Sequence, residues 1–296
     1  MGEVRIGVIG GSGLYEMAGL RVDEERRIET PWGEPSDAYV VGELDGRKVA
    51  FLARHGRGHR ILPTELNFRA NVYGFKQLGV DFLISVSAVG SMKIEYAPGH
   101  IVVPDQFLDR TRHRADTFFG AGLVAHVSLA QPISAALAAV LYEAAKSEGA
   151  TVHRGGTYLN MEGPQFSTRA ESMVYRQWGV DVIGMTNLQE AKLAREAEIA
   201  YGSLSMVTDY DCWHQEEEAV TGEGVMEVLR QNVALAQRVV RRAVADLDGV
   251  ENDCTDALRM ALITDPNLVP EETLAMLEPL IGKYLDRSGD RLAWKR

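Results

Sequence analysis

The sequence predicts an α/β fold: one domain with a central mixed β-sheet flanked by helices, followed by a helical C-terminal tail. Three observations carry this expectation. Short, apolar, β-branched runs such as residues 4–9 and 82–86 read as buried strands, each running into glycine or small residues. Stretches with apolar residues at helical spacing alternate with them, as in helices packed on a sheet. Asp45-Gly46, between runs 39–44 and 48–53, is a hairpin signal, so the sheet is mixed rather than wholly parallel.

The elements follow in order. A helix is expected over 67–78, a strand over 82–86, and a strand over 100–103 after Pro98-Gly99. A second helix covers 134–147 and the chain returns as strand over 151–159. Thr168-Arg169-Ala170-Glu171 fits a capping box and opens a third helix. Residues 180–185 read as strand, and Asn187 with Glu190 three residues later opens a fourth helix ending near 198. Strand 203–208 precedes a long helix from about 221, with Val225, Leu229, Val233, Ala236 and Val240 on one stripe. Residues 1–250 form the domain. Residues 251–296 form a tail with a helix over 271–285, packed on the domain or on a neighbouring subunit.

Bulk composition narrows the function. The chain has 296 residues, 46% hydrophobic and 25% charged, the balance of a globular protein with a substantial core. Its net charge of −11 disfavours nucleic acid and anionic membrane surfaces. Any anionic substrate therefore needs basic groups concentrated in a pocket. The two cysteines, Cys212 and Cys254, give no disulfide framework and suit a reducing cytoplasm. No signal peptide or spanning segment is visible, so the expected compartment is the cytoplasm.

The unusual segments fall at strand ends, where α/β folds place working residues. Gly10-Gly11-Ser12-Gly13 lets backbone approach a phosphate, or simply turns from strand to helix. It is neither a dinucleotide fingerprint nor a Walker loop. Arg54, His55, Arg57, His59 and Arg60 form the densest basic cluster in an acidic chain, and arginine forks suit oxyanions. Ser87-Ala88-Val89-Gly90-Ser91 offers small residues and hydroxyls, and also reads as a turn. Phe166, ahead of the capped helix, can stack on a planar ring or staple the helix start. Asp209 and Asp211 point the same way if their strand continues. They can bind a base edge or a metal, or cap the next helix. Cys212 and His214 are too few for a zinc site.

These segments occur together and in this order, along with Thr30-Pro31-Trp32-Gly33, Glu162-Gly163-Pro164-Gln165-Phe166 and Met185-Thr186. The combination resembles the trimeric purine nucleoside phosphorylases, specifically the branch that acts on 5'-methylthioadenosine, over about residues 6–247. The resemblance implies a nucleoside phosphorylase-like fold and a homotrimer with no metal or organic cofactor, inorganic phosphate being a co-substrate. It places phosphate on Ser12, Arg54, His55, Ser87, Ala88 and Thr186, with ribose near Met185. Phe166 packs on the purine, Asp209 and Asp211 face its N7 and 6-amino edge, and His126 crosses to a neighbour's 5' pocket. Gly222 and Val225 line that pocket. Two positions depart from the family pattern. Ser12 stands where threonine is also common, and Gly222 stands where the animal enzymes carry a short apolar side chain.

The implied catalytic pair is Asp209 and His55. Phosphate attacks C1' of an oxocarbenium-like sugar while Asp209 protonates N7. Burial against Phe166 and the like charge of Asp211 are expected to raise Asp209. An aspartate at 209 favours a 6-aminopurine. The nearest alternative is a phosphorylase for 6-oxopurine nucleosides such as inosine, guanosine or methylthioinosine. A dinucleotide-dependent oxidoreductase and a non-catalytic nucleoside-binding protein are the readings from other classes.

Overall fold

The computed structural model describes residues 4–11, 13, 14, 17–214, 222–289 and 291–295, with backbone alone over 222–231. β1 (Ile6–Gly10) is buried throughout and lies between two parallel neighbours, β4 (Arg47–Ala53) and β5 (Phe82–Ser91). A strand covered on both faces has no polar side to show, which is why it reads as an unbroken apolar run. β3 (Tyr39–Leu44) pairs antiparallel with β4 through Asp45 (φ 49°) and Gly46 (φ 82°). Two successive positive φ values match a type I′ turn, as the Asp-Gly pair implies.

The outer edge beyond β3 is β2 (Leu20–Arg26), an exposed charged strand with a register shift. Its charges hide it in the sequence and protect the edge in the fold. On the other side, β10 (Val182–Gly184), β9 (Thr157–Met161) and β7 (Gln106–Arg110) continue the sheet. β11 (Ala200–Asp209) branches from β5 and leads to β6 (Ile101–Val103) and β8 (Val152–Arg154). The single strand expected over 151–159 is two strands. Gly155 (φ 83°) and Gly156 (φ 113°) turn the chain from the partner of β6 to the partner of β7 and β10.

Among the described residues six α-helices flank this sheet: α1 (Phe68–Gln77), α2 (Ala135–Ser147), α3 (Arg169–Gln177), α4 (Asn187–Glu196), α5 (Gly222–Asp246) and α6 (Glu271–Ile281). The Thr168–Glu171 capping box on α3 is formed in both directions. The N-cap of α4 is Thr186 rather than Asn187. Asn187 is buried instead, donating to the Ser203 hydroxyl at 2.5 Å. None of the described helices is long and apolar enough to cross a membrane.

The tail shares the main core. Leu258, Leu262, Leu277 and Ile281 are buried in the cluster that holds Leu137, Ala194 and Tyr201. Glu198, which follows α4 with φ 56°, accepts from the Leu258 N–H at 3.0 Å and the Tyr284 hydroxyl at 2.5 Å. It also pairs with Lys283. α6 stops at Ile281, and a short hairpin, β12 (Leu285–Asp286) with β13 (Ala293–Trp294), closes the chain.

Candidate active site

The site begins with a gap in the sheet. One edge of β5 pairs with β1 as far as Ser85 and with β10 only from Gly90, so residues 86–89 have no strand beside them there. β11 runs along the opposite edge from Phe82 to Gly90 and keeps the segment extended. Residues 87–91, read from sequence as a turn, are therefore strand, with one row of backbone groups turned outward. The change of neighbour opens the sheet beside the carboxyl ends of β1, β4 and β11, where ligands bind in open α/β sheets. A cleft of about 1310 Å³ lies there.

Arg54, directly after β4, is buried at one end of the cleft. Its Nε donates to Glu190 Oε1 at 2.5 Å, Nη1 to the Val86 carbonyl at 2.9 Å, and Nη2 to the Ser85 hydroxyl at 2.6 Å. Burial alone lowers its basicity, but the Glu190 carboxylate more than offsets this and holds it above the ordinary arginine value. A guanidinium has five N–H groups, and one on Nη1 remains for a ligand. Glu190, expected as a cap for α4, is thus the buried counterion of Arg54.

His55 carries no charge here. Its Nδ1 lies 2.8 Å from the Ile61 carbonyl, which only accepts, so Nδ1 holds the hydrogen. Burial, and then the Arg54 guanidinium, push the ring down to about 4. Nε2 is left as an acceptor, and His59 stacks on the ring at 4.3 Å. The basic cluster is less cationic than its sequence: Arg57 is paired with Glu25 and Asp37, while Arg60 lines the cleft.

Ser87, Ala88 and Thr186 all line the same end. Ser87 Oγ is buried beside the Tyr158 hydroxyl, which also meets the Thr186 backbone. Thr186 begins α4 and makes no side-chain cap, so the helix N-terminus adds partial positive charge. Ser12 lies outside the described residues.

Met185 and Phe166 also line the cleft. Phe166 is 44% exposed on the cleft wall, so it is not stapled under α3. Asp209 ends β11. Its Oδ1 accepts from the Asp211 N–H at 2.8 Å and its Oδ2 from the Thr208 hydroxyl at 2.7 Å. Thr208 Oγ1 also lies 3.2 Å from the Val89 carbonyl. Its one hydrogen serves either acceptor, so Asp209 finds a partner both ionised and protonated.

The strand does not continue to Asp211. A 3-10 turn, Asp211–Trp213, begins there, with Asp211 at φ 51°. The Asp211 carboxyl meets Ser172 and, at 3.9 Å, the Cys212 thiol, and burial raises it above the usual carboxylate range. Asp209 and Asp211 share a wall but not an orientation. His126 is exposed, its N–H bonded to the Ala261 carbonyl, and is not among the lining residues of this chain's cleft. Gly222 and Val225 lie on α5, where side chains are outside the described residues.

Sequence reasoning missed Arg114, Asn160, Gln189 and Asn232. Asn232 lines the cleft beside Val233 and Ala236, with Nδ2 buried and unpaired. Only a polar residue next to the apolar α5 stripe hinted at it. Asn160 is buried, holding the Leu188 N–H at 3.1 Å and donating to the Met185 carbonyl at 3.1 Å. Such residues act by long-range contact and leave no local pattern. Among the described residues no group of three His, Cys, Asp or Glu side chains is arranged to hold a metal ion.

The cleft joins a buried arginine to a carboxyl group at a change of strand neighbours, the place where open α/β enzymes bind their ligands. The chain belongs to the phosphorylase superfamily, whose family model matches residues 5–245. It is 59% identical over 285 residues to the S-methyl-5'-thioadenosine phosphorylase of Geobacter sulfurreducens, covering 96% of this chain and all of that one. A relative of the same name from Koribacter versatilis is 58% identical over 283 residues, 95% of this chain and 97% of that one. Among solved structures, a methylthioadenosine phosphorylase from an antarctic soil metagenomic library matches at a TM-score of 0.90 and 48% identity, covering 94% and 99% of the two chains. The Schistosoma mansoni methylthioadenosine phosphorylase, in complex with adenine, matches at 0.79 and 36%, covering 84% and 93%.

Proposed function

We infer that this protein cleaves S-methyl-5'-thioadenosine with inorganic phosphate, giving adenine and 5-methylthioribose 1-phosphate. The observation that carries this reading is the joining, in one cleft, of an oxyanion pocket to a carboxyl group that has a partner in either protonation state. Arg54, Ser87, the outward backbone of Ala88 and the start of α4 suit phosphate. His55 Nε2 accepts the remaining O–H of hydrogen phosphate. The C1'–N9 bond breaks as a phosphate oxygen bonds C1', and Asp209 supplies hydrogen bonding or a proton at N7. Holding phosphate under the sugar contributes through proximity, worth roughly 7–11 kcal/mol in favourable cases. Phe166 covers the purine and Met185 the ribose.

Incubation with methylthioadenosine and phosphate is expected to release adenine, and incubation without phosphate to release none. Chromatography of the products decides, and phosphate-independent release defeats the reading. Methylthioinosine in the same assay tests the 6-oxopurine alternative, which the aspartate at 209 disfavours.

The assembly is a homotrimer in which His126 of each subunit reaches the 5' end of a neighbouring cleft. What supports this is the family resemblance together with the exposure of His126 away from its own cleft. Sedimentation velocity is expected to give three chains per particle. A fully active monomer overturns both the trimer and the shared site.

A further inference from the structure

Arg114 lies in the segment between β7 and α2, far in sequence from every cleft residue, yet its side chain is 2% exposed. It reaches three elements at once. Nε meets Glu162 Oε1 at 3.1 Å, and Nη2 donates to the Glu162 carbonyl after β9. Nη1 donates to the Met185 carbonyl after β10 and to Gln189 Oε1 on α4 at 3.0 Å. Gln189 in turn donates to the Thr111 hydroxyl at 2.8 Å, so the network closes on the segment that carries Arg114. A buried polar network with its partners satisfied fixes one geometry.

That geometry bears more on the nucleoside than on the anion. The 162–167 loop carries Phe166, and the Met185 side chain packs on Gly163, where an added Cβ would stand 2.6 Å from Sδ. Both hang on Arg114. The phosphate end has supports that Arg114 does not touch, Asn187 on Ser203 and Glu190 on Arg54, while Asn160 shares the Met185 carbonyl and Gln189 Oε1 with Arg114 and links the two networks.

We propose that Arg114 is a positioning residue that sets Met185 and the Phe166 loop against the ribose and purine. Lysine replaces it only in part, because an ammonium group lacks the planar fork that serves Glu162 and Met185 together.

This rests on the phosphorylase reading, and the two are tested apart. Wild-type turnover with and without phosphate tests the reading. Arg114→Ala tests the proposal: the nucleoside KM is expected to rise about tenfold or more, with the phosphate KM rising clearly less. Added guanidinium should recover part of the loss, and Arg114→Lys should fall between. Calorimetric adenine affinity, expected to weaken about tenfold in Arg114→Ala, reads the same geometry without turnover. If Arg114→Ala does not fold, Glu162→Gln serves, with a smaller rise in nucleoside KM. Parallel rises in both KM values, unchanged kinetics, or loss of thermal stability without a change in nucleoside KM or adenine affinity overturns the proposal.

Discussion

Replacing Arg54 by methionine is expected to cost the protein its phosphate and much of its stability, and a second substitution separates the two losses. Arg54 has one remaining N–H for the proposed phosphate, but it also neutralises Glu190 in a fully buried pair. Removing one partner of such a pair strands a charge and costs about 3–5 kcal/mol. Removing a preorganised donor to an oxyanion costs about 10²–10³ in rate. In the double variant Arg54→Met, Glu190→Gln no buried charge is stranded. The side-chain amide introduced by Glu190→Gln still accepts from the Tyr201 hydroxyl, which lies 2.8 Å from Glu190 Oε2. The double variant should regain most of the lost stability in a denaturant titration while its kcat/KM for phosphate stays low. Recovery of phosphate use along with stability places the role of Arg54 in the fold alone.

Asp209→Asn is the other large effect. The fold has a ready answer to it: asparagine Oδ1 still accepts from the Asp211 N–H. The new NH₂ can donate to Thr208, whose hydrogen turns to Val89. The loss is therefore chemical. An amide cannot hand a proton to N7, and acid catalysis contributes about 10²–10⁴. It also presents a donor to a 6-oxo group, which an ionised aspartate repels. Activity on methylthioadenosine should fall by about that factor. The ratio of kcat/KM for methylthioadenosine over methylthioinosine should fall with it. If the ratio is unmoved, Asp209 does not read the base.

Strands and helices with one apolar face were legible in the sequence, and so were local devices such as Asp45-Gly46 and the Thr168–Glu171 box. β2 was not, because an edge strand covered in charge has no apolar alternation. The continuation of β5 through residues 87–91 was hidden for a different reason. Ser87, Ala88 and Gly90 have turn-like composition, and only the β11 strand alongside makes them extended. The cleft residues were legible through motif and resemblance, but their charge states were not. His55 looked basic until Ile61 and Arg54 were seen beside it. Glu190 looked like a cap until it met an arginine 136 residues away.

The shared core of domain and tail has a bearing on how the molecule is made. A ribosome delivers residues 254–285 after Glu198 and Tyr201, yet Glu198 and the layer around Tyr201 wait for them. Until they arrive, the nascent chain carries an uncovered apolar face and a carboxylate whose partners are still in the exit tunnel. Translation that halts early does not yield a shorter enzyme. It yields a client for chaperones and proteases, because a stretch synthesised later covers the core of the elements before it.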